Sequence, residues 1–187
     1  PDPIAFIDEQ LGALDGANIR PGINVRSTSP EPVRDAAAVA TEHDAILELN
    51  AHCRQAELCN AGCGETLVRN PVRLEAMVDA ATAAGADVSV KVRAELPGVD
   101  LVAVAERLEQ AGADAIHVDA MDSEAVIRAI SDATSLFVIA NNGVRNRKTA
   151  LEYLEYGADA VSVGRPSDDP AVLRRVEAAA SEWFRTE

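Results

Sequence analysis

The sequence predicts an α/β fold of the TIM, or (β/α)8, barrel type, of which six β/α units are present. Two observations carry this prediction. Short apolar segments alternate with helical stretches along the whole chain, which is the pattern of a parallel sheet covered by helices. The tripeptide Gly-Ala-Asp stands before three of the apolar segments, at residues 85–87, 112–114 and 157–159, as expected for the helix-to-strand corners of repeated units.

The predicted strands are short apolar runs, and a stretch with the apolar spacing of a helix follows each of them. Residues 4–14 are predicted to form a helix before the first strand. The strands are predicted at residues 22–25, 45–50, 88–93, 115–118, 136–140 and 160–163. The helices that follow them are predicted at residues 30–41, 71–84, 100–111, 123–130, 146–156 and 170–184.

Local signals support several of these boundaries. Ser29 is a candidate N-cap for the helix after the first strand, and Pro71 suits a first helical turn. Gly112 and Gly157 stop their helices as C′ residues. The stretch after the second strand carries all three cysteines and is expected to be a long loop.

A barrel is favoured over an open sheet because polar or glycine residues stand at the ends of nearly all the strands. A barrel gathers every strand end round one mouth, whereas an open sheet would gather only those near its switch point. No Gly-x-Gly-x-x-Gly motif follows the first strand, which counts against a dinucleotide-binding fold. The strand-end residues are Asn24, Asn50, Lys91, His117, Asn141, Asn142, Gly164 and Arg165.

Six units are two short of a complete barrel. Residues 4–14 have a helical pattern and do not supply the missing strand pair. We therefore expect residues 1–187 to form a single, N-terminally incomplete TIM-type domain. The alternative is an unusual barrel that another chain closes, as in a homo-oligomer.

The composition is strongly acidic. The net charge is −14, with 31 Asp and Glu against 17 Lys and Arg, and only Lys91 and Lys148 are lysines. Such a charge disfavours passive adhesion to nucleic acid or anionic membranes, and its even distribution favours a halophilic protein adapted to high salt. No apolar window is long enough for a membrane span, and no signal peptide is recognisable. The odd cysteine count then favours a reduced, cytoplasmic setting.

Cys53 is the first candidate for chemistry. It follows Asn50 closely, where the second strand meets its loop, and so lies within reach of a ligand in the mouth. It is either a proton donor or nucleophile influenced by His52 and Arg54, or an ordinary loop residue. The three cysteines are separated by five and three residues, which is not a usual metal-binding spacing, so no metal site is predicted.

Lys91 and His117 occupy positions in the third and fourth strands. A lysine in a barrel strand is costly to bury unless it meets an anion, so Lys91 is a candidate for binding a phosphate, forming a Schiff base or stabilising a reduced flavin. The alternative is a side chain that reaches solvent. His117 is either a core histidine or a functional one that Asp119 or Asp122 orients.

The last two strands end in Asn142-Gly143 and Gly164-Arg165. Loops at these positions of a barrel commonly hold a phosphate through backbone N–H groups, and glycine permits the close approach. The Arg165 guanidinium adds a charge-assisted contact. These features predict a phosphate site for flavin mononucleotide (FMN) or for a phosphosugar.

Together the strand ends resemble the tRNA-dihydrouridine synthase family and its archaeal relatives. The family pattern is a strand ending in an amide side chain, then Asn-x-Gly-Cys-Pro, Gly-x-Gly, Val-Lys-x-Arg, Val-His, Asn-Gly and Gly-Arg. The matches lie in register over residues 22–166, which would be the third to eighth strands of the family barrel. They are Asn24, Asn50 to Arg54, Gly62 to Gly64, Val90 to Arg93, Ile116-His117, Asn142-Gly143 and Gly164-Arg165.

The resemblance implies an FMN-dependent oxidoreductase that reduces a uracil ring, with NADPH as reductant and tRNA as a possible partner. Cys53 would donate a proton to uracil C5 while hydride reaches C6, and Lys91 would lie near the anionic edge of the flavin. The resemblance assigns further cofactor contacts to Asn24, His117, Asn142, Gly143, Gly164 and Arg165, and substrate contacts to Asn50 and Arg93.

This chain departs from the family pattern beside the cysteine, where His52 and Arg54 replace the usual glycine and proline. Two other functions therefore stay open. One is an FMN barrel of the dihydroorotate or dihydropyrimidine dehydrogenase type. The other is a barrel that binds phosphate or flavin without catalysis.

Overall fold

The computed structural model describes residues 2–186, so Pro1 and Glu187, the two ends of the predicted domain, lie outside the described residues. Six parallel strands form one curled sheet, a half-barrel in which spatial order follows chain order. This confirms the predicted α/β fold and strand count. The strands are β1 (Gly22–Val25), β2 (Ile46–Asn50), β3 (Asp87–Arg93), β4 (Ala115–Asp119), β5 (Phe137–Asn141) and β6 (Ala160–Ser162).

Helices connect the strands, as the alternation predicts. They are α1 (Pro3–Gly12), α2 (Pro30–Glu42), α3 (Ala56–Asn60), α4 (Pro71–Ala83), α5 (Leu101–Gln110), α6 (Ala125–Ala133), α7 (Arg147–Glu155) and α8 (Pro170–Thr186). The side chains of Asn70, Asp100 and Asn146 cap α4, α5 and α7 by accepting backbone N–H groups of the first turn. None of the helices among residues 2–186 is both long and apolar enough to cross a membrane.

Three local predictions need correction. The stretch after β2 is not only a loop, because it contains the short helix α3 and a 3-10 turn at Gly64–Thr66. The helix predicted at residues 123–130 begins at Ala125 and continues to Ala133. Ser29 occupies the N-cap position of α2 but its side chain makes no capping hydrogen bond.

The Gly-Ala-Asp corners have a physical explanation. Gly112 and Gly157 adopt φ angles of 90° and 92°, the left-handed conformation that ends a helix. The aspartate that follows each glycine reaches back to the preceding strand of the sheet. Asp114 Oδ2 accepts the Val88 N–H and Asp159 Oδ2 accepts the Val138 N–H, both at 2.8 Å. Each corner therefore fixes where its strand begins relative to its neighbour.

The strands alternate between two faces. Leu47, Leu49 and their equivalents on the other strands are buried and pack into the helix-facing core. The alternate residues form rows across the inner face, because the parallel register aligns Asn24 with Glu48, and Lys91 with both Asn50 and His117. The next row joins Arg93, Asp119 and Asn141, followed by Ser162. The polar side chains of the inner face therefore gather toward the carboxyl ends of the strands.

Candidate active site

Glu48 lies at the centre of the inner face. Its Oε1 accepts Asn24 Nδ2 at 2.7 Å, and its Oε2 lies 2.7 Å from His117 Nδ1 and 3.4 Å from Ser89 Oγ. Burial alone would raise the pKa of the Glu48 carboxyl, but hydrogen bonds from His117 and Asn24 and the charge of Lys91 hold it below its ordinary value. Glu48 is therefore an ionised carboxylate at neutral pH.

His117 is contacted at both ring nitrogens in this network. The Glu48 carboxylate accepts a hydrogen bond from Nδ1. Lys91 Nζ, which can only donate, lies 3.4 Å from Nε2, and Asn141 Nδ2 lies 3.2 Å from the same atom. The imidazole therefore joins a carboxylate on β2 to an ammonium group on β3.

The expectation that Asp119 or Asp122 orients His117 is wrong. Asp119 lies one row nearer the mouth and binds His52 instead. Glu48 is the partner of His117 although β3 separates their strands. The side chain that β3 contributes between them is Ser89, which is small enough for the longer glutamate to reach across.

Two partly buried pairs of a basic and an acidic side chain form a second level above Glu48. His52 Nε2 lies 2.7 Å from Asp119 Oδ2, and Arg93 Nη1 lies 3.1 Å from Glu65 Oε2. Burial opposes ionisation of Asp119, but the hydrogen bond from His52 outweighs it and the pKa of Asp119 is lowered. Each pair joins a residue of the segment after β2 to a strand, so this segment is fastened to the barrel at two points.

Asn50 shapes the turn that carries Cys53. Its Nδ2 donates to Asn24 Oδ1 at 2.9 Å, and its Oδ1 accepts the Cys53 N–H at 3.0 Å. The Cys53 carbonyl then accepts the Glu65 N–H at 2.9 Å and the Cys59 thiol at 3.4 Å. A Cβ at Gly64 would collide with that carbonyl oxygen, which explains the second glycine of the Gly-x-Gly motif.

A cavity of about 660 Å³ opens at the carboxyl ends of β3 to β6. Three cations border it, Lys91, Arg145 and Arg165. Nothing lies within 4 Å of where a Cβ would stand at Gly143 or Gly164, so both backbones are open to a ligand. The remaining lining residues are His52, Asp119, Asn141, Asn142, Val144, Gly164 and Pro166.

Tyr153 supports the glycine turn from below. Its hydroxyl donates to the carbonyl oxygens of Asn141 and Asn142, at 3.3 and 3.0 Å. Burial and nearby carboxylates raise the pKa of Tyr153 to about 12, so the hydroxyl keeps its proton. The Asn142 side chain donates to Met121 O at 3.0 Å and thereby holds Asn142 at its unusual φ of 105°.

Of the residues expected from the sequence, Asn24, Asn50 and His117 lie on the inner face, whereas Cys53 is absent from the described lining of the cavity and Arg93 is paired with Glu65. Those that line the cavity are Lys91, Asn142, Gly143, Gly164 and Arg165. Sequence reasoning missed Glu48, Arg145, Tyr153 and the pairing of His52 with Asp119. No group of three or more His, Cys, Asp or Glu side chains within residues 2–186 is arranged to hold a metal ion.

A parallel half-barrel with charged and amide side chains at its strand ends defines a ligand-binding protein of the TIM-barrel type. The family follows from the sequence of the same region. The family model for dihydrouridine synthase matches residues 22–186, and the chain belongs to this family. The resemblance expected from the strand-end motifs is confirmed.

Individual relatives are more distant. The chain is 28% identical to tRNA-dihydrouridine synthase B of Pseudomonas aeruginosa, over 87% of this chain and 54% of that protein. It is 27% identical to the catalytic subunit of dihydroorotate dehydrogenase B (NAD(+)) of Methanothermobacter thermautotrophicus, over 94% and 64%. An uncharacterized protein of Methanocaldococcus jannaschii is 27% identical over 86% and 65%. The chain therefore spans between half and two thirds of the length of these relatives.

Solved structures support the fold. A putative phosphonomutase from Burkholderia cenocepacia superposes with a TM-score of 0.69 at 21% identity, over 96% of this chain and 76% of that one. The carboxyl transferase domain of Rhizobium etli pyruvate carboxylase superposes with a TM-score of 0.60 at 18% identity, over 97% and 37%. At these identities the likeness concerns the barrel architecture alone.

The first prediction concerns Glu48→Gln. Since folding lowers the pKa of Glu48, the carboxylate stabilises the fold above its ordinary pKa of 4.5, and this contribution is lost as the pH falls through the folded value. The substitution should lower the free energy of unfolding by about 1–3 kcal/mol at pH 7, with a shrinking difference toward acid. Urea titrations across this pH range measure it.

Glu182→Gln is the control, because Glu182 forms an exposed ion pair with Arg147 on helix surfaces. Its effect should be small at every pH. A Glu48→Gln difference that grows as the pH falls would contradict the ionised state of Glu48.

The second prediction concerns Tyr153→Phe. Removing the hydroxyl leaves the carbonyls of Asn141 and Asn142 without this donor and should lower the free energy of unfolding by about 1–2 kcal/mol. Amide hydrogen exchange should also accelerate at Gly143 and Val144, because the turn loses its support. Tyr156→Phe is the matched control, and equal effects of the two variants would refute a specific role for Tyr153.

Proposed function

We propose that this chain provides the flavin site of an FMN-dependent oxidoreductase that reduces a uracil-like ring, with NADPH as reductant. One observation carries the proposal. Lys91, which His117 contacts, and the two glycine-bearing strand ends converge on one cavity at the mouth of the half-barrel. Family membership supports the same class of activity.

The residues of the cavity fit a flavin with a phosphate tail. Its volume falls within the range of small-molecule sites, roughly 300–1,000 Å³. Gly143 and Gly164 have open space before their backbones, and Arg145 and Arg165 stand beside them as cations. Backbone N–H groups and guanidinium groups are the usual ligands of a phosphate. Asn142, next to Gly143, would contribute to the same contact.

When bound, FMN would supply hydride for the ring reduction. The part that we assign to Lys91 is electrostatic. Its ammonium group is held toward the cavity by His117, and a fixed cation there stabilises negative charge on a ligand ring. Asn24, which Glu48 and Asn50 orient from either side, would contact the ring edge.

The substrate side of the site is assigned to the segment after β2. Asn50 would shape the uracil pocket by fixing the turn that it bonds. Cys53 would donate the proton to uracil C5, and its thiolate would regain a proton from solvent. Arg93 would act near the nucleotide, and its ion pair with Glu65 braces the same segment.

Two substrate classes remain, uridine within tRNA and a free pyrimidine. Relatives named as tRNA-dihydrouridine synthase B support the first. The dihydroorotate dehydrogenase relative and the net charge of −14 support the second, because a polyanion is repelled by an acidic surface. If the protein reduces neither uridine in tRNA nor a free pyrimidine, the remaining function is a barrel that binds flavin without catalysis.

The third prediction tests the flavin site with the two lysines of the chain. Purified full-length protein should bind FMN and quench its fluorescence. Lys91→Met should weaken binding about tenfold or more and lower the reduction potential of the bound flavin, because the reduced anionic ring loses a cation. Lys148→Met, on the exposed surface of α7, should change neither quantity. Absence of FMN binding to the unsubstituted protein would refute the proposal.

The fourth prediction concerns Cys53→Ala. FMN-loaded protein, reduced with NADPH, is mixed with unmodified tRNA transcripts or with uridine monophosphate, and flavin reoxidation is followed without oxygen. The variant should retain FMN affinity but reduce the ring roughly 10²-fold more slowly, the usual contribution of a general acid. Cys59→Ala is the control on the neighbouring thiol. Unchanged turnover in Cys53→Ala would remove Cys53 from the mechanism.

A further inference from the structure

His52 stands at the position where the family pattern has a glycine. The substitution adds a titratable ring at the mouth. The ring is about one-third exposed, and it lines the same cavity as Lys91, Asn142 and Arg165. A histidine on an ordinary loop would have no reason to point into this cavity.

Asp119 holds the ring in a defined orientation. The two residues are 67 positions apart in the sequence, and their contact of 2.7 Å joins the loop after β2 to the end of β4. Asp119 is itself fixed by the Met121 N–H at 3.4 Å. Since its carboxylate is ionised, His52 Nε2 carries a proton toward it. The other nitrogen, Nδ1, has no hydrogen-bond partner among residues 2–186.

Cys53 follows His52 directly in the sequence, but its position relative to the cavity is different. It is not among the described residues that line the cavity, and its carbonyl is engaged by Cys59 and Glu65 beside α3. The loop therefore offers two distinct groups to a substrate. One is the imidazole of His52, which lines the cavity, and the other is the thiol of Cys53, the next residue in the sequence.

The proposed reduction makes two different demands. Hydride added to C6 of a uracil ring displaces the C5–C6 electron pair toward the carbonyl at C4, so negative charge develops on O4. The ring then needs a proton at C5. A donor that meets the developing charge on oxygen is distinct from the acid that protonates carbon, and such oxyanion donors are among the largest contributions to catalysis.

We propose that His52, oriented by Asp119, is the donor that stabilises the charge on O4 during ring reduction. The inference rests on the proposed function. The hydride comes from reduced flavin, which is oxidised; the C5 proton comes from Cys53. In this step His52 acts as the doubly protonated imidazolium: its Nε2–H stays on Asp119, while its Nδ1–H is shared with O4 and returns to Nδ1 when the carbonyl reforms. His52 is thus a catalytic residue, and Asp119 is a positioning residue.

The test compares His52→Ala, His52→Gln and Asp119→Asn in FMN-loaded full-length protein. Ring reduction is measured with unmodified tRNA transcripts and with uridine monophosphate. His52→Ala should lower the rate on the order of 10²-fold, while FMN affinity and flavin reduction by NADPH stay unchanged. Added imidazole should restore part of the rate. His52→Gln should lose less, because its amide can still donate.

Asp119→Asn provides a readout that needs no turnover. Nitrogen-15 NMR should show both ring nitrogens of His52 protonated up to a higher pH in the unsubstituted protein than in the variant, because the variant lacks the carboxylate charge beside Nε2. His43→Ala is the matched control, because His43 also pairs with an aspartate, Asp8, but on the far side of α2. It should leave ring reduction unchanged.

Three outcomes would overturn the inference. Ring reduction by His52→Ala and His52→Gln at the unsubstituted rate would remove His52 from catalysis while leaving the proposed function intact. A rate loss with lowered FMN affinity and no imidazole rescue would assign His52 a structural role. Unsubstituted protein that binds FMN but reduces neither probe would refute the proposed function, and the inference with it.

Discussion

The partly buried carboxylate of Glu48 is the constraint on which the site depends. Placing a charge inside a barrel is costly unless donors surround it, and three donors do so from three different strands. Those donors are Asn24, Ser89 and His117. Because the carboxylate binds Nδ1 of His117, Nε2 is the ring nitrogen that faces Lys91 Nζ, at 3.4 Å. One ionised group on β2 thereby contacts side chains of β1, β3 and β4 and, through His117, helps to orient Lys91.

Polarity increases along the half-barrel toward the mouth. At the amino ends of the strands, a cavity of about 530 Å³ is bordered mainly by apolar residues such as Ile46, Phe137 and Ile139, and it extends to Glu48. The Glu48 network lies in the middle, and the pairs His52–Asp119 and Arg93–Glu65 lie above it. The groups on strands are fixed by register, whereas those after β2 are fixed by ion pairs. A ligand in the mouth would therefore contact strand residues, whose positions the sheet fixes, and residues of the segment after β2, which a few polar contacts hold in place.

Sequence reasoning recovers the features that have a local cause. Strand and helix periods identify the elements, and Gly112 and Gly157 mark the corners because only a left-handed residue ends those helices well. The site is recovered where residues stand at strand ends. Glu48 is missed because one acid among 31 carries no signal until the register brings Ser89 beside it. The partner of His52 is missed for the same reason. The helix α3 is missed because five residues are too few to show a helical period.

The net charge and the local charge of the mouth act over different distances. Surface charges are screened beyond about 8–10 Å at moderate salt and over less at high salt, so the charge of −14 governs encounters with large polyanions. Inside the cavity, Lys91, Arg145 and Arg165 act at contact distance, where screening is weak. An acidic chain can therefore hold a phosphate-bearing cofactor firmly while it repels RNA at long range. If tRNA is the substrate, it must be drawn in by contacts other than those of the described surface charge.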